Sequence, residues 1–328
     1  MQIVDRYRVP TGDILVVEGQ KGKLECLSLG DYGKDVNIKC NALGLDRTPE
    51  KVRHTKLLPL TEKWVITIST QYKCSCECNF CDVPKVKYTG NGINATYTDL
   101  IGQFVIAKNL HREITSAKRI NIHYARMGEP TFNPEVLDAA KTIKDLYHRD
   151  NFPIHQVVST MMPAKNKYLR QFIWSWVLFK NEIMNGEAGL QLSINSTNEE
   201  ERQQMFCGNA LDLYSIYNIM KGLKPAGRKF TLNFAVAGWE IDPEILLPRF
   251  PPEDYIIKLT PMHKTASALA SGIKTGGDYT DYYPYEEIEK KLVSAGYDVL
   301  VFIASKEEDE SRITCGNAIL SGTKPFEF

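Results

Sequence analysis

The chain has 328 residues, of which 43% are hydrophobic and 24% are charged. This balance is typical of a soluble globular protein with a sizeable core, and it excludes disordered and fibrous classes. Forty basic and forty acidic residues give no net charge, which counts against a protein that coats nucleic-acid backbones but leaves room for a local basic patch.

Residues 1–60 predict a small β-rich appendage. Two short strands flank a glycine-containing turn within residues 16–27, and residues 35–40 predict a third strand. No stretch of the chain is apolar for long enough to span a membrane, and the N-terminus lacks the pattern of a secretory signal. We therefore expect a cytoplasmic protein with no membrane partner, whose eight cysteines do not form a disulfide framework.

From residue 61 onward, apolar β-rich runs alternate with helical stretches. The expected strands are 64–69, 120–124, 156–159, 190–194, 230–236, 255–259 and 298–303. The expected helices are 97–117, 134–147, 165–179, 198–205, 210–222 and 285–295, and residues 264–283 predict a mobile loop. Alternation of this kind implies parallel strands joined by crossover helices.

Six strand–helix units are too few for a closed eight-fold barrel. The predicted fold class is therefore α/β, a partial (βα)6 TIM-type barrel, with catalytic groups at the carboxyl ends of the strands. The predicted domains are the appendage, 1–60, and the barrel, 61–328, which ends in a strand and an active-site loop carrying Cys315.

Four cysteines follow the first expected barrel strand: Cys74, Cys76, Cys78 and Cys81. The first, third and fourth have C-x3-C-x2-C spacing. Three thiolates on one loop suit a [4Fe–4S] cluster with one iron left open, because such a cube normally takes four ligands. The alternative is a zinc knuckle, since Cys78 and Cys81 alone have zinc-like spacing, although the sequence holds no second pair of that kind.

This motif resembles that of the radical S-adenosylmethionine (SAM) superfamily, and further segments resemble its RlmN/Cfr family of RNA adenine methyltransferases. Residues 126–133 are similar to the family's M-G-M-G-E-P-x-x-N, and residues 259–263 to its L-I-P-x-N. The other similar segments are 69–74, 101–103, 159–160, 192–195, 198–202 and 315–316. The resemblance runs in order from about residue 53 to about residue 320.

The resemblance implies a [4Fe–4S] cluster bound by Cys74, Cys78 and Cys81, with SAM on the open iron. Reduction by an electron donor such as flavodoxin or ferredoxin would cleave SAM to methionine and a 5′-deoxyadenosyl radical. The residues implied to bind SAM are Gly128, Glu129, Ser159, Ser193, Ile194, Asn195 and His263. A carboxylate such as that of Glu129 suits the SAM ammonium group. Ordinary strand-end capping is the alternative for the two serines and for Asn195, and a plain loop residue is the alternative for His263.

Cys315 determines the predicted reaction class. In the family, the corresponding cysteine accepts a methyl group from one SAM. The radical from a second SAM then abstracts hydrogen from that S-methyl group, and the resulting methylene radical attacks a ring carbon. A thiolate is a good nucleophile for the first step. The alternative is a small buried apolar residue.

The chain departs from the family at several positions. Thr67 stands where the family has the cysteine that resolves the enzyme–RNA adduct, and Cys76 is a possible substitute. His54 falls where the family has a glutamate base; it could accept a proton, or it could be a surface histidine. Asn195 replaces a histidine, and His263 replaces an asparagine.

Three functions are compatible with these residues. The first is an RlmN-like methyltransferase acting on a purine base in RNA. The second is a radical SAM enzyme that modifies a free nucleotide, small molecule or peptide. This reading is supported by the short N-terminal region and by the acidic excess in 306–310, which would repel phosphates. The third is a catalytically silent iron–sulfur sensor or scaffold.

Overall fold

The strands and helices expected beyond residue 61 are all present in the computed structural model, which describes residues 1–31, 38–40, 42, 57–87, 92–275 and 283–326. The strands are β1 Gln2–Val9, β2 Gly12–Gly19, β3 Gly22–Leu29, β4 Ile38–Lys39, β5 Trp64–Ile68, β6 Ile120–Tyr124, β7 Ile154–Thr160, β8 Gly189–Ser193, β9 Phe230–Val236, β10 Tyr255–Pro261 and β11 Asp298–Phe302. The helices are α1 Tyr97–Asn109, α2 Glu135–Tyr147, α3 Leu169–Leu178, α4 Glu199–Met205, α5 Leu213–Met220, α6 Pro243–Leu246, α7 Ala266–Ala270, α8 Tyr283–Ser294 and α9 Lys306–Glu310.

The described strands join one sheet in the order β1-β2-β3-β5-β6-β7-β8-β9-β10-β11-β4. From β5 to β11 all neighbours are parallel. The chain therefore has a mixed α/β fold built on a large parallel sheet.

The N-terminal strands form an antiparallel meander that continues this sheet, because β3 pairs antiparallel with β5. The domain boundary near residue 60 stays a prediction. The strand expected at 35–40 is described only at β4, which pairs with β11, and residues 32–37 lie outside the described part of the chain.

The two faces of the parallel sheet differ in character. On β5, Trp64, Ile66 and Ile68 are fully buried and belong to the main hydrophobic core, whereas Val65 and Thr67 between them are half-buried on the other face. Each fully buried large apolar side chain contributes about 2 kcal/mol.

The second face, here called the polar face, carries half-buried polar side chains that the strand register aligns. They are Thr67, His123, Ser159, Gln191, Ser193, Asn233 and Lys258. The helices cover the apolar face, so the polar face is the one available for chemistry.

The polar face carries titratable side chains on separate strands. Burial and, next, the Lys258 charge lower the pKa of His123 on β6 to about 3.

The segment after β11 returns to β3, near the other end of the strand order. The backbone N–H of Leu320 donates to Glu25 Oε1 on β3 at 2.7 Å. Arg126, just after β6, donates to Glu25 Oε2 at 2.9 Å and to the carbonyl of Arg312 at 2.9 Å. These bonds hold the C-terminal segment beside the carboxyl ends of the first parallel strands.

No helix in the described part of the chain is both long enough and apolar enough to cross a bilayer.

Candidate active site

The cysteine loop directly follows β5. Cys74, Cys78 and Cys81 are free and half-buried, whereas Cys76 is 4% exposed and packs in an apolar cluster with Met161, Met205 and Phe206. Cys74 and Cys78 pack against the same cluster, so Cys76 differs from the three cysteines of the predicted motif in its deeper burial. Cys76 remains attached to the set, because its backbone N–H donates to Cys74 Sγ at 3.4 Å.

The three thiols are neighbours in space. Burial and, after it, the charges of Cys81 and Cys74 raise the pKa of Cys78. Burial also raises the pKa of Cys81, and the charges of Cys74 and Cys315 raise it further. Three thiols that repel one another as thiolates would be stabilised by a cationic group bound among them.

Among the described residues, no three His, Cys, Asp or Glu side chains form a group that could hold a metal ion. In a [4Fe–4S] cube, each cysteine binds a different iron, so the three sulfurs do not converge on one atom. Neighbouring but separate thiols on one loop fit that donor set.

Gln71 connects the cysteine loop to the segment after β6. Its Nε2 donates to Ser75 Oγ at 2.9 Å, and its Oε1 accepts from the backbone N–H of Glu129 at 3.1 Å. Gly128 has φ +95°, and a Cβ there would lie 2.6 Å from Gln71 Cβ. Only glycine permits both that conformation and that close approach.

Glu129 lies 4% exposed between the ends of β6 and β7. Its Oε1 accepts from the backbone N–H and hydroxyl of Thr131 at 3.1 and 2.8 Å, and its Oε2 accepts from the backbone N–H of Met161 at 3.1 Å. Burial raises the pKa of Glu129, whereas these hydrogen bonds act to lower it. The Glu129 charge also acts on Cys76 and Cys78, so this carboxylate lies near the cysteine loop.

The other residues implied to bind SAM divide into two groups. Ser159 and Ser193 lie half-buried on the polar face, with Ser159 Oγ 3.4 Å from Gln191 Oε1. Ile194 and Asn195 are buried. The Asn195 side chain already accepts from the backbone N–H of Ala235 at 3.0 Å.

Asn195 has φ +63°, a left-handed conformation that asparagine tolerates better than most residues. This backbone conformation gives a physical reason for asparagine at the position. The side chain ties the end of β8 to β9.

His263, after β10, lies with its Nδ1 2.9 Å from Asp309 Oδ1. The Thr314 hydroxyl donates to the same carboxylate oxygen at 2.6 Å. This contact connects His263 to the residue that precedes Cys315. Asp309 was not singled out by the sequence, where it stands only as one acid in an acidic run.

The Cys315 loop packs directly against the cysteine loop. The backbone N–H of Asp82 donates to the carbonyl of Gly316 at 2.7 Å. Gly316 has φ +85°, and a Cβ there would lie 3.1 Å from the carbonyl oxygen of Phe80 and 3.6 Å from Cys81 Cα. The structure thus brings together Cys315 and Cys81, which are distant in sequence.

Cys315 itself is exposed, yet protein surrounds it closely enough that burial raises the pKa of its thiol. The Lys258 and Arg126 charges act in the opposite direction.

Thr67 is half-buried on β5, opposite His123 of β6. Cys76, the possible substitute thiol, is buried. His54 lies outside the described residues.

The segment expected as a mobile loop is instead tied to the cysteine loop where it is described, up to residue 275. Asp82 Oδ1 accepts from the backbone N–H and hydroxyl of Ser267 at 2.8 and 2.7 Å. The Thr265 hydroxyl donates to the carbonyl of Phe80 at 2.7 Å and caps α7. The capping residue Thr265 was the sequence signal from which α7 could have been predicted. The helix was difficult to recognise, because it has only five residues and most of its side chains are small.

No family model matches this chain. Curated relatives named dual-specificity RNA methyltransferase RlmN are similar to it at modest identity. The relative from Campylobacter lari is 29% identical over 166 residues, 49% of this chain and 41% of the relative. The one from Campylobacter hominis is 26% identical over 212 residues, which are 63% of this chain and 52% of the relative. The one from Helicobacter hepaticus is 31% identical over 114 residues, which are 34% of this chain and 29% of the relative. The chain thus spans about half, or less, of the length of the relatives it matches.

Among solved structures, the chain is similar to spore photoproduct lyase. A mutant of that enzyme gives a TM-score of 0.42 at 14% identity, covering 70% of this chain and 72% of the other. The complex with dinucleoside spore photoproduct gives a TM-score of 0.41 at 13% identity, covering 68% of this chain and 70% of the other.

Proposed function

We propose that the protein is a radical SAM enzyme, RlmN-like, that transfers a methyl-derived carbon through Cys315 to a purine base in RNA. The single observation that carries the proposal is the hydrogen bond from Asp82 to Gly316. It joins the predicted cluster loop to the predicted methyl carrier, two features that the sequence separates widely.

Cys74, Cys78 and Cys81 would hold the cluster. Their free thiols, mutual repulsion and position directly after β5 support this assignment. Bound there, a [4Fe–4S] cluster would supply the electron that cleaves SAM to a 5′-deoxyadenosyl radical. Cys76, buried among apolar side chains, would remain outside the ligand set.

Gly128 and Glu129 would bind the SAM amino group, because they lie beside the cysteine loop and Glu129 is a carboxylate with spare acceptor capacity. Ser159 and Ser193 would contact the SAM carboxylate and ribose from the polar face. The main chain at Ile194, the end of β8 held by Asn195, and His263 would complete the site.

The Cys315 thiolate would take a methyl group from the sulfonium of one SAM and leave S-adenosylhomocysteine. The 5′-deoxyadenosyl radical would remove one hydrogen atom from that S-methyl group. The resulting carbon radical would add to the purine ring. His54 would accept the ring proton. Homolysis of the Cys315 C–S bond would then leave a sulfur radical on Cys315, which one electron from the donor would reduce to the thiolate, and the released carbanion would take up a proton to become the methyl group of the product.

A partial (βα)6 barrel is the architecture we propose for residues 61–328, with residues 1–60 as the appendage. The parallel order from β5 to β11 supports it. Catalytic residues would then lie at the carboxyl ends of the strands, as is usual in such barrels. An electron donor such as flavodoxin or ferredoxin would be the protein partner.

RNA as the substrate is supported by the names of the curated relatives. A free nucleotide, small molecule or peptide is the second candidate. It is favoured by Thr67, a half-buried residue without a thiol that could release an RNA adduct by disulfide exchange.

An anaerobic assay for 5′-deoxyadenosine tests the proposed function. Protein reconstituted with iron and sulfide, then reduced with dithionite, should convert SAM to methionine and 5′-deoxyadenosine. A Cys78→Ala variant, which lacks one cluster ligand, should not. Absence of 5′-deoxyadenosine from the unsubstituted, fully loaded protein would instead support the silent scaffold.

A further inference from the structure

Two neighbouring helices, α3 and α5, expose large rings to solvent. Trp174 on α3 is 44% exposed, and Tyr214 on α5 is 62% exposed. Tyr217, one turn after Tyr214, is half-buried, and its ring centre lies 6.3 Å from that of Tyr214. Because aromatic side chains are enriched in binding surfaces, this pair of helices is a candidate surface for a partner.

Two hydrogen bonds join the helices and hold one of the rings. Arg170 Nη2 on α3 donates to the carbonyl of Asn218 on α5 at 2.9 Å. Trp174 Nε1 donates to the carbonyl of Ile219 at 3.3 Å. Since Nε1 is the only polar atom of an indole, the exposed part of the Trp174 ring is apolar and its orientation is set before any partner binds. A group that is already ordered loses less entropy on binding.

Basic side chains lie beside the rings. Arg170 precedes Trp174 by four residues on α3, and Lys221 follows Tyr217 by four residues at the end of α5. Residues four apart on a helix are neighbours on its surface, and Lys221 Nζ lies 5.9 Å from the centre of the Tyr217 ring. We call the surface formed by five residues of the two helices the aromatic–basic patch: Arg170, Trp174, Tyr214, Tyr217 and Lys221.

The segments that carry the patch are basic. Residues 161–178 include three basic residues, residues 213–229 include four, and neither segment includes an acidic one. Lys224 and Lys229, outside the patch, are paired with carboxylates. Asp212 and Glu199 lie at the start of α5, where each accepts a hydrogen bond from the backbone. These two acids offset positive charge at the start of α5, so the positive end of the patch is at Lys221.

A surface that alternates rings with cations matches a ligand that alternates flat bases with phosphates. Unpaired bases stack on exposed aromatic rings, and the phosphates between them pair with arginine and lysine. In a duplex the faces of the bases are stacked on one another and are not available to the rings. The patch therefore fits single-stranded nucleic acid better than a duplex.

The patch has a fixed position relative to the proposed SAM site. Asn166, buried just before α3, donates from Nδ2 to the carbonyl of Thr131 at 2.8 Å. The Thr131 hydroxyl donates in turn to Glu129 Oε1. The start of α3 is thus attached to the loop that holds Glu129.

We propose that the aromatic–basic patch binds a single-stranded segment of RNA that flanks the base modified at the active site. RNA as the occupant rests on the proposed function. The surface itself rests on the exposed rings, the cations beside them and the hydrogen bonds that join the two helices.

Binding of a fluorescein-labelled RNA to the full chain, measured by fluorescence anisotropy without SAM, tests the patch. The RNA is an unstructured strand of about 12 nucleotides, within the usual size of a single-strand site. It should bind at least about fivefold more tightly than a duplex of the same sequence. Trp174→Ala and Tyr214→Ala should each weaken binding of the strand at least about fivefold, the lower end of the contribution of one stacked base. Trp174→Phe, which keeps a ring, should retain most of the affinity.

Lys221→Gln tests the charge separately. The slope of log affinity against log salt concentration should become shallower by about 0.7, the value for one phosphate contact on a single strand. Tyr97→Ala on α1 and Lys23→Gln on β3 are the matched controls, because both side chains are exposed outside the patch. They should change neither the affinity nor the slope. Circular dichroism checks the folding of each variant, and Tyr214→Ala, which removes a side chain mostly in solvent, decides the outcome if Trp174→Ala unfolds.

Two other occupants are outcomes of the same set of variants. Flavodoxin is titrated into each protein, and sedimentation measures self-association. The proposal is overturned if Trp174→Ala and Tyr214→Ala bind the RNA as tightly as the unsubstituted chain. It is equally overturned if these substitutions weaken only flavodoxin binding, or if they only dissociate a homodimer.

Failure of the patch and failure of the proposed function remain distinguishable. Formation of 5′-deoxyadenosine without RNA is measured in the same variants and should be unchanged. RNA binding that does not depend on the patch removes the patch alone. Absence of RNA binding with normal SAM cleavage contradicts the patch and the RNA substrate but leaves the radical chemistry in place. RNA binding that depends on the patch, without SAM cleavage in the unsubstituted chain, supports the patch and contradicts the proposed function.

Discussion

Glu129 is positioned by its own loop. Both carboxylate oxygens accept hydrogen bonds from Thr131 and Met161, and its backbone N–H is held by Gln71. The sequence predicted the acid and its glycine neighbour from a motif. The buried acceptor role was not predictable, because Met161 approaches only when β6 and β7 lie side by side.

This double role predicts different losses in two variants of Glu129. Glu129→Ala should destabilise the protein by about 1–3 kcal/mol, because it leaves buried donors at Met161 and Thr131 unpaired. Glu129→Gln should cost less stability, since one carbonyl oxygen remains, but should weaken SAM binding because the ammonium loses a charged partner. Urea unfolding and equilibrium dialysis with SAM measure the two effects. Unchanged SAM affinity in Glu129→Gln would restrict the carboxylate to a structural role.

The cysteines make a second prediction at the residue scale. Cys78→Ala should lose the cluster, whereas Cys76→Ala should keep about four iron atoms per chain after anaerobic reconstitution. The reason is that Cys76 is buried, whereas Cys78 is half-buried and lies with Cys74 and Cys81. Iron analysis and the visible absorption of the reconstituted proteins provide the measurement. The reverse result would show that the motif was assigned in the wrong register.

At the scale of elements, the sequence predicted the ends of β5 to β11 to within two residues, because the apolar faces of these strands give strong patterns. It missed β1, whose exposed charged residues Asp5, Arg6 and Arg8 hide a strand that only pairing with β2 stabilises. It extended α1 beyond Asn109 to 117, although Ile114, Thr115 and Ser116 favour non-helical backbone. It also missed α9, which a capping box between Ser305 and Glu308 begins.

Gly316 provides the prediction at this scale. Gly316→Ala should displace the Cys315 loop from the cysteine loop, because the added Cβ meets the carbonyl of Phe80 at a φ of +85°. Cleavage of SAM should continue, while transfer of carbon to substrate falls at least about tenfold, since misplacement by about 1 Å can cost more than that. Gly322→Ala is the matched control, with φ +102° and open space around the added Cβ. Equal transfer rates in the two variants would show that this contact does not position Cys315.

At the scale of the whole molecule, Glu25 joins three segments that are distant in the sequence. This fully buried carboxylate of β3 pairs with Arg126 at 2.7 Å and accepts from the backbone of Leu320 in the C-terminal segment. Neither partner was predictable, because the three residues are distant in the sequence and meet only in the complete fold. The same limit applies to the site as a whole: local motifs indicated the thiols, but the approach of residues 314–316 to the cysteine loop depends on the complete fold.

Glu25→Gln should therefore destabilise the protein by about 3–5 kcal/mol, because it leaves Arg126 as a buried, uncompensated charge. Lys141→Gln breaks an exposed pair with Asp138 and should cost no more than about 1 kcal/mol. Chemical unfolding of both variants, followed by fluorescence, gives the comparison. Similar losses in the two would contradict the role of Glu25 in joining β3, β6 and the C-terminal segment.

The most direct test of the account is the mass of the peptide that contains Cys315. The reconstituted, reduced protein is incubated anaerobically with SAM, digested and analysed by mass spectrometry. The account predicts a gain of about 14 mass units on that peptide, one methyl group in place of the thiol hydrogen, and no gain in Cys315→Ala. An unmodified Cys315 in protein that cleaves SAM would contradict the methyl-carrier role and leave a radical SAM enzyme that only abstracts hydrogen.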